Sequence, residues 1–206
     1  ANLCETVGAN VALVRQGIGS DARIGSSFLF PGPGYGGSCF PKDVKALLMT
    51  SEEMGAPMQV LRAVEDANDR QKTRLFEKLR DALGELQGTR IAVWGLAFKA
   101  QTDDMRESPA LTLIDALLKI GATVAAHDPA AMHEAGRRLG SRIHYGRTSY
   151  DTLDGADALV VVTDWNEYRF PDFTRIKASL KRPVVIDGRN LYDPVKMAHL
   201  GFTYRS

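Results

Sequence analysis

Cys39 stands where a loop gives way to a helix, and its neighbours are of the kinds that make a thiol react. The segment Phe30-Pro31-Gly32-Pro33-Gly34-Tyr35-Gly36-Gly37-Ser38-Cys39 holds four glycines in ten residues, so its backbone can approach a ligand closely and turn successive N–H groups toward it. Many such loops are turns and nothing more. This one delivers a cysteine to a helix start, whose unpaired N–H groups and dipole favour a thiolate, and follows it with Lys42. Two readings of Cys39 stand on these grounds, a reactive thiol or a buried inert one. Asp43 lies one helical turn further on. It can take or direct a proton, or do no more than stabilise the dipole. Cys4, beside Leu3 and Val7 on a helix face, is expected in the core.

Two further groups of residues carry charge to strand ends. Gly95-Leu96-Ala97-Phe98-Lys99 leaves an apolar run, and Thr102-Asp103-Asp104-Met105-Arg106-Glu107-Ser108-Pro109 leads into a helix. The position is that of a dinucleotide fingerprint, but the spaced glycines of G-x-G-x-x-G are missing, so no pyrophosphate-binding turn is expected. Lys99 and Arg106 can bring cations to phosphates instead. Ile186-Asp187-Gly188-Arg189-Asn190 ends another apolar run and exposes an arginine at the same kind of edge. His127 has no His or Cys at ligand spacing and is expected to be structural, with no metal in the molecule. Trp165 and Tyr168 are expected to pack a loop.

The elements that must position these residues follow from periodicity. Leu3, Val7, Val11 and Val14 recur at three- and four-residue steps, giving two short helices broken near Gly8. A loop from Gly17 to Gly37 precedes a helix from about Pro41 to Met54, proline being suited to a first helical turn. The stretch from Pro57 to Leu86 keeps a helical period and could span about 45 Å, long enough to bridge two domains or two subunits. After Gly88 strands and helices alternate: Arg90 to Leu96, Thr123 to Ala126, Ile143 to Tyr145, Asp157 to Thr163 and Pro183 to Asp187 read as strands, with helices at Ala110 to Ile120 and Ala130 to Leu139. The fold class is α/β: a helical segment with a long connecting helix, then a doubly wound, Rossmann-like parallel sheet. Ligands of such sheets bind beyond the carboxyl ends of the strands, after Gly95, His127, Thr163 and Asp187.

Bulk properties narrow the function. The 26 basic and 25 acidic residues of this 206-residue chain are interspersed and leave a net charge of +1, so a nucleic acid is not an expected partner. No apolar stretch is long enough for a membrane span. Two cysteines and no signal-peptide pattern point to the cytoplasm. The chain opens in a helical pattern with neither an initiator Met nor a cap, which predicts a piece of a longer protein.

Taken together these residues resemble the UDP-glucose/GDP-mannose dehydrogenase family. The resemblance runs through Ser20-Asp21-Ala22-Arg23-Ile24-Gly25, Gly34 to Asp43, the Thr-Asp-Asp-x-Arg-Glu-Ser core within Gly95 to Ser108, and Asp187-Gly188-Arg189. It implies that residues 1–87 are part of a central helical dimerisation region and that residues 88–206 are a Rossmann-like UDP-sugar-binding domain. It implies NAD as cofactor and a homodimer, with an NAD-binding domain that this chain does not contain. Cys39 would attack a sugar aldehyde and later release a thioester, with Asp43 handling the water. Phe30, Pro31, Gly32, Pro33, Gly34, Tyr35 and Gly36 would wrap the nucleotide-sugar. Phe98, Lys99 and Arg189 would contact it as well, Lys42 and Arg106 would reach toward NAD, and Arg23 would cross a dimer interface. Pro33-Gly34-Tyr35 favours UDP-glucose over GDP-mannose as substrate. Without the G-x-G-x-x-G domain, this piece alone is expected to bind a UDP-sugar and to oxidise nothing. Two other classes compete: a non-catalytic UDP-binding module, and a dimerisation scaffold with no ligand.

Overall fold

The computed structural model describes all residues from Ala1 to Ser206 and divides into two compact units, Ala1–Gly32 and Pro33–Ser206. In the first, α1 (Asn2–Val7) stops where Gly8 turns left-handed at φ 69°, a conformation glycine enters without a Cβ clash. Helix α2 (Val11–Gly19) starts where the Asn10 side chain accepts from the backbone N–H groups of Ala12 and Leu13, the usual satisfaction of orphan donors at a helix start. The break near Gly8 is as expected. Neither helix buries a residue, so Cys4 is half-buried and not a core thiol: Leu3 and Val7 beside it face solvent in this unit.

The second unit begins with the cysteine loop and α3 (Phe40–Glu53), with Pro41 in its first turn. Helix α4 (Gln59–Leu83) has 25 residues, about 37 Å at the usual rise. It is shorter than the periodicity suggests because Met58 stays non-helical and Gly84 ends the run at φ 80°. Its C-terminal half places Leu75, Leu79 and Leu83 in the sheet's own core.

The sheet consists of β1 (Arg90–Trp94), β2 (Thr123–His127), β3 (His144–Tyr145), β4 (Ala158–Val161), β5 (Val184–Asp187) and β6 (Thr203–Arg205). All pairings are parallel and the order is β3-β2-β1-β4-β5-β6, the arrangement of a doubly wound Rossmann sheet. The edge strand β6 has no counterpart in the sequence reading. Helices α5 (Pro109–Lys119), α6 (Met132–Leu139), α7 (Asn166–Arg169), α8 (Phe173–Ser179) and α9 (Pro194–His199) complete the layers. Alternation along the strands divides the core in two. Ile91, Val93, Val160 and Ile186 meet Leu79 of α4 and Leu113, Ile114 and Leu117 of α5 on one face. Ala92, Trp94, Val161 and Val185 meet Ile176 of α8 and Met197 of α9 on the other. Trp94 pairs in register with His127 and with Val161, and Val161 with Asp187, so four strands end level and present their exits along one edge.

Candidate functional site

The order of the sheet reverses between β1 and β4, and the crevice beyond their ends is where an α/β sheet takes a ligand. Gly95 leaves β1 at φ 97°, and a Cβ there would lie 2.4 Å from the Thr163 side chain. Only glycine fits, and Thr163 Oγ1 then donates to the carbonyl of Ala97 at 2.6 Å. The first turn's own amides are already engaged. Asp128, buried at the end of β2, accepts from Leu96 N–H at 2.7 Å, Ala97 N–H at 3.0 Å and the Trp165 indole at 3.1 Å on one oxygen. Its other oxygen accepts from Ala130 and Ala131 N–H at 2.9 and 2.8 Å. A dinucleotide pyrophosphate therefore does not fit this turn, whose amides hold a carboxylate of the chain itself.

Arg189 follows β5 and reaches across both strand exits. Its Nε donates to Val162 O at 2.7 Å and its Nη2 to Phe98 O at 2.8 Å, which holds Phe98 and Lys99 at the crevice. Burial pushes the guanidinium below its usual range. Asp187 accepts from the N–H groups of Arg189, Leu191 and Tyr192 and from the Tyr204 hydroxyl, while burial pushes its carboxyl up. Lys99 is exposed, with Nζ 5.3 Å from the centre of the Phe98 ring.

The cysteine loop lies against the same edge. Gly37 N–H donates to Arg106 O at 2.7 Å. A Cβ on Gly36 would stand 2.3 Å from Glu107 O, and one on Gly37 would stand 2.8 Å from the Phe98 ring. The glycines are there for close approach of the loop to the β1–α5 connection. Tyr35 is gripped by α4: its N–H donates to Asn68 Oδ1 at 2.8 Å, Asn68 Nδ2 returns a bond to Tyr35 O at 3.3 Å, and the phenol donates to Glu65. Burial, and then Glu65, push the Tyr35 hydroxyl well above its usual range.

Cys39 is exposed at the N-cap of α3, its Sγ 3.6 Å from Ser38 Oγ. The Asp43 N–H closes the first turn on Cys39 O at 2.9 Å. Asp43 is exposed and paired with Lys42 at 3.2 Å. Arg106 is forked onto Asp104 at 2.8 to 3.1 Å and also interacts electrostatically with Cys39. Bonding to Asp104 raises the guanidinium, and the same bond lowers Asp104. A solvent-accessible thiol, a carboxylate one turn away and two cations thus share the positive end of a helix dipole, which suits nucleophilic attack with local proton transfer.

Cys39, Asp43, Lys42, Arg106, Gly34 to Gly36, Phe98, Lys99 and Arg189 all belong to the second unit. Arg23, Phe30, Pro31 and Gly32 belong to the first. There Arg23 is held by Asp21 at 2.6 Å, and the Phe30 ring lies under the Arg15 guanidinium at 3.6 Å. His127 is buried beside Tyr168, with Nδ1 3.0 Å from the hydroxyl, and burial lowers its basicity. Tyr168 stacks on Trp94 at 5.1 Å. Three residues of α4 at the loop carry no expectation from the sequence, Glu65, Asn68 and Lys72, and Glu107 carries none beyond its place in the Thr-Asp-Asp-x-Arg-Glu-Ser run. The first three recur at helical spacing directly before Leu75, Leu79 and Leu83, and that continuity with an apolar stripe was the available signal.

Family models account for most of the chain. The UDP-binding domain of the UDP-glucose/GDP-mannose dehydrogenase family matches residues 92–194, and the central domain of the same family matches residues 1–70. The chain belongs to this family. Among its relatives in the dehydrogenase family, UDP-glucose 6-dehydrogenase of Pseudomonas aeruginosa is 49% identical, over all of this chain and 47% of its own length. The Rhizobium meliloti protein of the same name is 46% identical with the same coverage. A solved UDP-glucose dehydrogenase from the hyperthermophilic archaeon Pyrobaculum islandicum superposes with a TM-score of 0.86 at 34% identity, covering 98% of this chain and 44% of that one. The chain spans about half the length of the curated family members it matches. No helix is long and apolar enough to cross a membrane.

Proposed function

We infer that this chain is the nucleophile-bearing and nucleotide-sugar-binding part of a UDP-glucose 6-dehydrogenase. One observation carries the reading: an exposed cysteine caps a helix in a glycine loop that is fitted onto the exit of β1 at the sheet's switch point. The identities of 49% and 46% to proteins of that name support the choice of substrate.

The reaction takes the primary alcohol of the sugar to a carboxylate in two oxidations, and NAD, when bound, supplies the hydride acceptor for each. The residues of this chain do the rest. The Cys39 thiolate adds to the aldehyde carbon, forming a C–S bond as the C=O π bond opens and its oxygen takes a proton to become a hydroxyl. Once that carbon has been oxidised to a thioester, water adds to it, Asp43 accepts the water's proton, and the C–S bond breaks to return the thiolate. Lys99 and the ring of Phe98, held by Arg189, form the floor for the UDP-sugar. The backbone of Pro33 to Gly36 wraps it. Lys42 and Arg106 face the cofactor, and Arg23 reaches a second copy in a homodimer.

Thiol labelling tests this. At about pH 7, iodoacetamide is expected to alkylate Cys39 ahead of the half-buried Cys4, and UDP-glucose to shield Cys39. An inert Cys39 in a chain that still binds UDP by calorimetry would instead make it a binding module. A flat calorimetric titration with UDP would leave only the scaffold.

A further inference from the structure

Glu107 joins three elements. Its Oε1 accepts from Lys45 of α3 at 3.0 Å, and its Oε2 accepts from Lys72 of α4 at 3.0 Å. Its own backbone sits at φ 54°, a left-handed conformation that side chains with a Cβ enter only at a cost. Such a cost persists where surrounding structure fixes it, and it clusters at functional sites. Its carbonyl is the atom onto which Gly36 is packed, and the carbonyl of the preceding residue, Arg106, holds the Gly37 N–H. One peptide and one carboxylate therefore meet the cysteine loop, the cysteine helix and the long helix together.

We propose that Glu107 is the positioning residue for the Cys39 nucleophile, gathering Lys45 and Lys72 onto one carboxylate so that α3 holds its first turn at a fixed attitude to the sheet's carboxyl edge. This rests on the reading of Cys39 as nucleophile. Lys45 lies six residues beyond Cys39, about 9 Å along the helix, so a rotation of about 10° about the Lys45 anchor moves the thiol by about 1.6 Å. A displacement of about 1 Å can cost about a hundredfold in a reacting geometry. The two pairs differ in kind. The Lys72 side chain is 8% exposed, and a buried ammonium needs its partner. Lys45 is 51% exposed and Glu107 42%, where an ion pair contributes little stability. Orientation is what remains for the Lys45 bond to supply. The polar stripe of α4 continues the grip, with Glu65 and Asn68 fixing Tyr35 four residues before the thiol.

The test uses the 206-residue chain and two readouts: the rate of Cys39 alkylation by iodoacetamide, and the UDP-glucose concentration that halves it. Glu107→Gln and Lys45→Gln are compared with Leu113→Ala, a core substitution in α5 that lowers stability while leaving both ion pairs of Glu107 in place. Both Gln variants are expected to raise the half-protecting concentration about tenfold and to change the unprotected rate several-fold, with Leu113→Ala near wild type in both. Lys45→Gln keeps the test decisive if Glu107→Gln folds poorly, because it removes only the exposed pair. Protection unchanged in Lys45→Gln, or lost equally in Leu113→Ala, overturns the proposal. A wild-type Cys39 that UDP-glucose does not shield overturns the function reading first, and the role of Glu107 with it.

Discussion

Replacing Gly36 by alanine separates steric fit from backbone freedom. Gly36 is not among the positive-φ glycines, so alanine can adopt its backbone and the whole effect must come from contact. The added Cβ would lie 2.3 Å from Glu107 O, 2.8 Å from Glu107 C and 3.2 Å from Phe98 Cβ. Two of these are backbone atoms of a peptide that is already left-handed, so they cannot turn aside as a flexible side chain would. Overpacking of this kind costs about 2–3 kcal/mol, or roughly 4–12 °C in melting temperature for a chain of this size. The relief available is for the loop to lift, which breaks the 2.7 Å bond from Gly37 N–H to Arg106 O. Gly55→Ala is the control: φ is 68° and nothing lies within 4 Å of the new Cβ, so it should cost about 1 kcal/mol from conformation alone. Urea unfolding followed by Trp94 and Trp165 fluorescence gives both stabilities, and thiol labelling reports the loop. Gly36→Ala should also lose UDP-glucose protection of Cys39 while Gly55→Ala keeps it. A Gly36→Ala variant within about 0.5 kcal/mol of wild type, with protection intact, would refute the close-approach argument.

Asp128→Asn should cost about 3 kcal/mol, read as a lower urea midpoint at constant slope, because an amide NH2 would face donors that now share two carboxylate oxygens. Acid should weaken the loop in a defined window. Lys72, and then Lys45, hold the Glu107 carboxyl below its ordinary 4.5, and Arg106 holds Asp104 below its ordinary 3.8. The native state thus resists protonation, so these groups contribute their full stability above those values and lose it as pH falls through the lowered native ones. Thermal melts from neutral pH downward should show the fall, and Glu107→Gln should make it shallower.

The cysteine site was legible because its parts are contiguous: the glycines, the thiol, Pro41 at the helix start and Asp43 lie within a dozen residues. The sheet was legible from apolar runs such as Leu159 to Val162. What stayed hidden depends on partners far along the chain. Glu65, Asn68 and Lys72 look like a solvated face of α4 until Tyr35 and Glu107 are set against them. Arg189 reads as a ligand arm, yet its guanidinium binds the carbonyls of Val162 and Phe98, which only the strand order brings together. The edge strand β6 is three residues with little apolar content, too short for a period. Helices α8 and α9 are short as well and have no counterpart among the expected elements; in the structure Asp172 and Asp193 cap them, their side chains accepting from Arg175 and Lys196 N–H.

The carboxylate of Asp128 gives the sheet a property that its strand order conceals. The Leu96 and Ala97 amides that it occupies are those a Rossmann turn would offer to a passing phosphate. Because the acid is part of the same folded chain, it competes at an effective concentration in the millimolar range or above. With that turn occupied by a group of its own, the domain leaves a ligand to the side chains and loop at the neighbouring rim.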